Sequence, residues 1–89
     1  MKAIVTVVGK DQVGIIAAVA NMLAQYNVNI LDISQTVMQG YFTMMMVVDV
    51  SAANLPVADL AARMEQIGKE RDLSIRLQRE DIFEAMHRI

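Results

Sequence analysis

The chain has 89 residues, of which 55% are hydrophobic and 4% aromatic, and its 8 basic and 10 acidic residues give a formal charge of −2. This length predicts one domain, and the slightly negative charge argues against nucleic acids and anionic membranes as partners. The absence of cysteine excludes disulfides, thiolate metal ligands and cysteine nucleophiles. With 8 methionines, the flexible aliphatic surface exceeds one small core, so we expect a homo-oligomer, most simply a dimer.

The first nine residues carry one positive charge and an apolar run too short for the core of a signal peptide. No segment reaches the roughly 18 apolar residues of a membrane span. The lack of cysteine is compatible with a reducing compartment. We therefore expect a cytoplasmic protein with no membrane partner.

The first secondary-structure signals are a strand and a helix. Residues 3–8 form a β-branched run with apolar residues at both parities, which predicts a central strand covered on both faces and broken by Gly9. Residues 14–26 have the apolar spacing of a helix with one buried stripe, and we expect Asn27 to cap its end.

A hairpin is predicted next. Residues 29–38 and 41–50 are strand-like, and they flank the turn signal Gln39-Gly40. Apolar residues occupy one face of the second of these strands completely and the other face mostly, so we expect both faces to need a cover. The first set is Met44, Met46, Val48 and Val50, and the second includes Met45 and Val47.

The second half of the chain repeats the order of the first. Residues 51–56 offer a capping candidate and a proline that a first helical turn tolerates, and 57–68 follow the helical period. Residues 73–78 alternate apolar and polar side chains, which predicts an edge strand with one wet face. The tail, 80–89, has a short amphipathic helical stripe that needs a packing surface on the sheet or a neighbouring subunit.

The resulting order, βαββαβ plus a terminal helix, predicts an α+β, ferredoxin-like sandwich. Right-handed crossovers would place both helices on one face of a four-stranded antiparallel sheet. We assign residues 1–79 to this domain and 80–89 to a C-terminal helical tail.

The side chains give little support for catalysis. His87 is the only histidine, and with Glu84 it supplies fewer ligands than a zinc site needs. No serine has a histidine at plausible reach, and Asp32 and Asp49 on neighbouring strands are more typical of a soluble surface than of an acid–base pair. We predict no catalytic residue, no metal and no cofactor, and hence a protein that is not an enzyme.

The loop at residues 9–15 carries the most informative motif, Gly-Lys-Asp-Gln-Val-Gly-Ile. It lacks the third glycine of a dinucleotide fingerprint and the ending of a P-loop. Gly14 lets a ligand approach the helix start, where free amide groups attract a carboxylate. Asp11 can cap the helix or contact the ligand. Asn29, which we expect near the loop, can bind both ends of an amino acid or act as a turn residue.

The βαββαβ order, the Asp11-x-x-Gly14-Ile15 motif and Asn29 resemble an ACT domain over nearly the whole chain. The short form with a trailing helix is similar to the bacterial proteins grouped as UPF0237 and, more distantly, to glycine cleavage system regulators. The resemblance implies a regulatory module that binds an amino acid between paired domains, with contacts from those residues. Together with their neighbours, the predicted ligand-binding residues are Asp11, Gln12, Val13, Gly14, Ile15, Asn29 and Ile30.

The leading hypothesis is a homo-oligomeric sensor in which one subunit's loop and a neighbour's second strand enclose a small amino acid. A protein-interaction module without a ligand is the main alternative. An acylphosphatase-like hydrolase would need an arginine in the loop, where Lys10 is the only basic residue. An RNA-binding domain of this order would need aromatic stacking platforms, and a metallochaperone would need a pair of cysteines.

Overall fold

The structure is a computed structural model that describes residues 1–10 and 13–81. Its elements follow the predicted order, which confirms the ferredoxin-like α+β fold: β1 (Lys2–Lys10), α1 (Ile15–Gln25), β2 (Asn29–Met38), β3 (Tyr41–Asp49), α2 (Val57–Glu70) and β4 (Leu73–Arg79). Beyond residue 81, the predicted tail helix lies outside the described residues.

The sheet has the order β2-β3-β1-β4, and every neighbouring pair is antiparallel. β1 is central, as predicted. β4 is an edge strand along which buried and exposed residues alternate at first, also as predicted. β2 forms the other edge of the sheet.

The strand register defines two ends of the sheet. At the end that we call the Asp49 end, Lys2 and Asn29 both pair with Asp49. At the opposite end, which we call the Tyr41 end, Lys10 and Met38 both pair with Tyr41. The two ends are about 26 Å apart along β1, at roughly 3.3 Å per residue. Because α1 connects β1 to β2, it begins at the Tyr41 end and finishes at the Asp49 end.

Both helices pack on one face of the sheet, which we call the helix face. The apolar set predicted to share one face of β3 is buried there, in the same core cluster as Leu60 and Met64 of α2. α2 approaches β4 closely because residue 68 is glycine, where an added Cβ would lie 2.7 Å from the Leu73 carbonyl oxygen. The sheet residues of this core are Ala3, Val5, Val7, Phe42, Met44, Met46, Val48, Leu73, Ile75 and Leu77.

The opposite face of the sheet is less apolar. The prediction that β1 is covered on both faces holds at Ile4, which is buried, and is wrong at Val8, which is exposed. Met45, on the same face of β3, is exposed as well. Surplus apolar surface therefore remains accessible on the described residues, in line with the composition.

Gly9 does not break the first strand, in contrast to the sequence prediction. β1 continues to Lys10, and Gly9 pairs with Phe42 on one side and Leu73 on the other. An added Cβ at residue 9 would collide with the Leu73 side chain. Residue 9 therefore lies in close contact with β4 and not in a turn.

The turn predictions are confirmed, whereas the start of α2 differs in detail. Asn27 follows α1 with φ at 59°, and its amide donates to the Ala24 carbonyl at 3.0 Å. Gln39 and Gly40 have φ of 51° and 83°, as a two-residue hairpin turn requires. α2 starts after Pro56, which occupies the N-cap without a side-chain capping bond.

No helix in the described part of the chain is long and apolar enough to cross a membrane.

Candidate ligand-binding site

The start of α1 lies where the sequence motif predicted it, directly after Gly14. Gly14 adopts a left-handed conformation with φ at 86°, and an added Cβ there would meet open space. Its carbonyl accepts the Ala18 amide at 2.9 Å, so the first helical amides have no partner within the helix. The first turn contains no acidic residue. Its partial positive charge is therefore not offset by the turn itself and favours an anion.

The remaining loop residues differ in their surroundings. Val13 is fully exposed, whereas Ile15 is buried in the core below the helix start. Asp11 and Gln12 lie outside the described residues, so the cap by Asp11 stays a prediction. Of the predicted loop contacts, Val13 and Gly14 are thus accessible to a ligand, and Ile15 supports them from below.

Asn29 and Ile30 lie at the Asp49 end, away from the loop of the same chain. Asn29 pairs with Asp49, and Ile30 pairs with Val48. Lys10, the last residue of β1 before the loop, lies at the Tyr41 end. The expectation that Asn29 lies near the loop is therefore wrong within one chain, because α1 spans the sheet between them.

A cavity of about 330 Å³ opens at the Asp49 end, between the end of α1 and the start of β2. Polar groups from three segments line it, and small residues complete the wall: Asn27, Asn29, Asp49 and Ser51, with Ala24, Val28 and Ala52. The Asn27 side chain donates to the Ala52 carbonyl at 2.9 Å, which ties two of these segments together.

Asp49 is the charged group of this cavity. Its Oδ1 accepts the Ser51 amide at 2.9 Å and lies 3.6 Å from the ammonium group of Met1, which also donates to the Ser51 hydroxyl. Hydrogen bonds from the side chain and the backbone of Ser51 lower the pKa of the Asp49 carboxyl, and the ammonium charge lowers it further. The Asp49 side chain remains 42% exposed, so water screens these interactions.

We expect a carboxyl titration followed by NMR to give a pKa for Asp49 below that of an unperturbed aspartate. Ser51→Ala should raise this pKa, because the largest contribution comes from the Ser51 side chain. Ser74→Ala, which removes an exposed hydroxyl on β4, serves as the control and should leave it unchanged. Since the pKa of Asp49 is depressed in the folded state, the interactions of its carboxylate stabilise the fold at pH values above the unfolded-state pKa. This contribution is lost as the pH falls through the folded-state pKa. An unshifted pKa would contradict the hydrogen-bonded arrangement.

Sequence reasoning missed the Asp49 cavity and weighed Asp49 only as a partner for Asp32. The two carboxylates do not face each other, because Asp32 pairs with Val47 and binds the Ile33 amide at 2.8 Å. The Asp49-Val50-Ser51 segment contained a usable signal, since an aspartate often binds its own backbone two residues on.

The acidic side chains in the described part of the chain are not clustered around a metal site. Within residues 1–10 and 13–81, no three histidine, cysteine, aspartate or glutamate side chains lie close enough together to hold a metal ion. Glu84 and His87, the two ligands weighed from the sequence, lie outside the described residues.

The element order, the antiparallel sheet and the packing of both helices on one face define a ferredoxin-like α+β domain. The sequence profile of the ACT domain family matches residues 2–78. The chain therefore belongs to the ACT domain family, a class of regulatory module, and within it to the UPF0237 proteins. Both resemblances inferred from the sequence are confirmed.

Three similar proteins illustrate this assignment. A UPF0237 protein of Listeria monocytogenes is 48% identical over 89 residues, which is all of both chains. An ACT domain protein from Streptococcus pneumoniae has a solved structure with a TM-score of 0.83 at 47% identity, covering 98% of each chain. A structure of a glycine cleavage system transcriptional repressor is 24% identical with a TM-score of 0.74 over 88% of this chain and 44% of that one, and it shares the fold alone.

Proposed function

We propose that this chain is a homo-oligomeric regulatory module, most simply a dimer, that binds an amino acid or a similar small carboxylate between two subunits. One subunit contributes the start of α1 and the loop before it, and the other contributes the start of β2. The proposed contacts are Asp11, Gln12, Val13, Gly14 and Ile15 from the first subunit, and Asn29 and Ile30 from the second.

The exposure of β2 is the observation that carries this proposal. All ten residues of this edge strand are exposed. Five of them are apolar, and the four that precede the terminal Met38 form what we call the β2 ridge: Ile30, Leu31, Ile33 and Val37. Three of the four pair with core residues of β3 and so point to the helix face, and Leu31 is the extra residue of a bulge. A long apolar edge strand of this kind favours pairing with another chain.

A two-fold axis would make the two copies of β2 antiparallel, because a symmetric dimer uses the same surface on both subunits. The first residue of one copy would then lie near the last residue of the other. Asn29 lies at the Asp49 end, and α1 begins at the Tyr41 end of its own chain. Antiparallel pairing would therefore bring Asn29 of one subunit toward the Gly14 helix start of its neighbour, as the composite site requires.

The chemistry of the two halves suits a small carboxylate. The free amides and the dipole of the α1 start would bind the carboxylate of the ligand. The amide of Asn29 can donate to that carboxylate or accept from an amine. Such a ligand would link the two subunits, so that its binding changes the stability and the geometry of the pair.

Calorimetric titration with each of the twenty common amino acids tests this function, with thermal unfolding as a second readout. We expect heat and a rise in the unfolding temperature for at least one of them. Asn29→Ala should weaken its binding roughly 10-fold, as expected for the loss of about 1.5 kcal/mol of hydrogen bonding. Gln66→Ala, an exposed amide on α2, is the matched control and should bind normally. The absence of both heat and a thermal shift for all twenty would refute the ligand-binding function.

A protein-interaction module without a ligand is the second candidate, because the β2 ridge alone would support docking. A chain that forms a stable dimer and gives no heat with any amino acid would favour this alternative.

A further inference from the structure

The Asp49 cavity contains a carboxylate that the composite site, as proposed above, does not use. We propose that Asp49, oriented by Ser51 and adjacent to Asn29, receives the ammonium group of the amino acid and so selects zwitterions over simple carboxylates. This inference rests on the proposed function and assigns a residue and a ligand class to one half of its site.

The register places Asp49 directly beside Asn29. The two residues are a cross-strand pair, so their Cβ atoms are about 5 Å apart, and both line the same cavity. A ligand group that reaches Asn29 therefore also reaches Asp49. The ammonium and carboxylate of an α-amino acid are attached to one carbon, so one end can contact Asp49 while the other points out of the cavity.

The structure already holds an ammonium group against this carboxylate. The Met1 ammonium lies 3.6 Å from Asp49 Oδ1 and donates to the Ser51 hydroxyl. This second observation shows that an ammonium group is accommodated at this position. A carboxylate has about four acceptor sites on its two oxygens, so Asp49 can accept a further donor from a ligand.

The state of Asp49 also suits this role. Its hydrogen bonds with Ser51 depress the carboxyl pKa, so the side chain is ionised at neutral pH and ready for a cation. The amide and hydroxyl of Ser51 hold the carboxylate in one orientation without filling the cavity. The cavity measures about 330 Å³, which leaves room for an amino acid beside Asp49.

The two ends of the ligand would thus meet opposite charges on two subunits. The helix start of one subunit would bind the carboxylate, and Asp49 of the other would bind the ammonium. A ligand with only one of these groups would lose its contact with one of the two subunits. The site would in this way distinguish an amino acid from its deaminated analogue.

Calorimetric titration of the full chain with glycine, L-alanine and L-serine, each compared with acetate and propionate, tests this inference. We expect at least one of the three amino acids to bind wild type at least 10-fold more tightly than either simple acid. Asp49→Asn should weaken the binding of that amino acid by roughly 10- to 100-fold, as expected for the loss of a charge-assisted hydrogen bond. The binding of acetate and propionate should be unchanged. A general structural defect would weaken the binding of all of these ligands together.

Two further variants sharpen the result. Ser51→Ala keeps the charge but loosens its orientation, and we expect amino-acid binding to fall by a smaller factor than with Asp49→Asn. Glu65→Gln removes the same charge from an exposed position on α2 and should change nothing. Circular dichroism checks that each variant is folded.

The failures of the two proposals are distinguishable. If wild type binds an amino acid and Asp49→Asn binds it equally well, the role of Asp49 is wrong and the proposed function stands. If wild type binds acetate or propionate as tightly as the amino acids, selection by Asp49 is wrong as well. If none of the twenty common amino acids binds wild type, both proposals are wrong.

Discussion

Ile33→Lys is expected to convert the proposed dimer into a monomer at micromolar concentration in sedimentation experiments. Ile33 lies in the middle of the β2 ridge, points to the helix face and is 45% exposed in the single chain. In a symmetric dimer each substitution counts twice, and each lysine replaces about 1.5 kcal/mol or more of apolar burial by a charge that must stay hydrated. The expected loss is about 3 kcal/mol or more, or at least roughly 100-fold in the dissociation constant.

Met45→Lys is the matched control for this experiment. Met45 is 43% exposed, but it lies on β3 and on the opposite face of the sheet. We expect this variant to remain dimeric, with the circular dichroism spectrum of wild type. A wild-type chain that sediments as a monomer, or an Ile33→Lys variant that stays dimeric, would show that β2 is not the interface. Because the proposed ligand site is shared between two subunits, Ile33→Lys should also abolish amino-acid binding.

Met64→Ala is expected to destabilise the domain by about 2–5 kcal/mol, the range for truncation of a large buried side chain. Met64 is 0% exposed, on the face of α2 that packs against the sheet. A chain of 89 residues has a total stability of roughly 4–13 kcal/mol, so this loss removes a large share of it. Urea unfolding at one fixed protein concentration measures the change, because the proposed dimerisation would contribute to the apparent stability.

Met64→Leu is the control for packing in this experiment. Leucine has a similar volume and leaves no large cavity, so we expect a loss below about 1.5 kcal/mol. A Met64→Ala variant as stable as Met64→Leu would contradict the position of this side chain in the core. The comparison also tests whether methionine is needed at this position for its shape or only for its size.

Several features of the fold follow from short stretches of sequence. The hairpin turn at Gln39-Gly40 and the bounds of β2 agree with prediction, because the backbone of the turn and the strand preference of the flanking residues are local properties. Gly9 shows the limit of this reasoning. A glycine after an apolar run is typical of a break, yet here Gly9 continues the strand and packs closely against Leu73 on β4, sixty-four positions further along the chain.

The candidate site also has one part that the local sequence predicts and another that the tertiary structure decides. The motif around Gly14 predicted the helix start, because a helix start depends on neighbours within one turn. The position of Asn29 relative to that motif was wrong within one chain, since the length and direction of α1 across the sheet decide it. Asp49 had no assigned role in the sequence, because its partners include the start of the chain and a residue on β2.

Local periodicity and turn chemistry were thus sufficient for the elements, their order and the family resemblance, because each depends on residues that are close along the chain. The tertiary structure alone leaves β2 uncovered, separates Asn29 from the loop of its own chain and gathers Asn29, Asp49 and Ser51 around one cavity. These relations depend on how strands pair and on which strand the helices leave bare, and neither is encoded in any single segment.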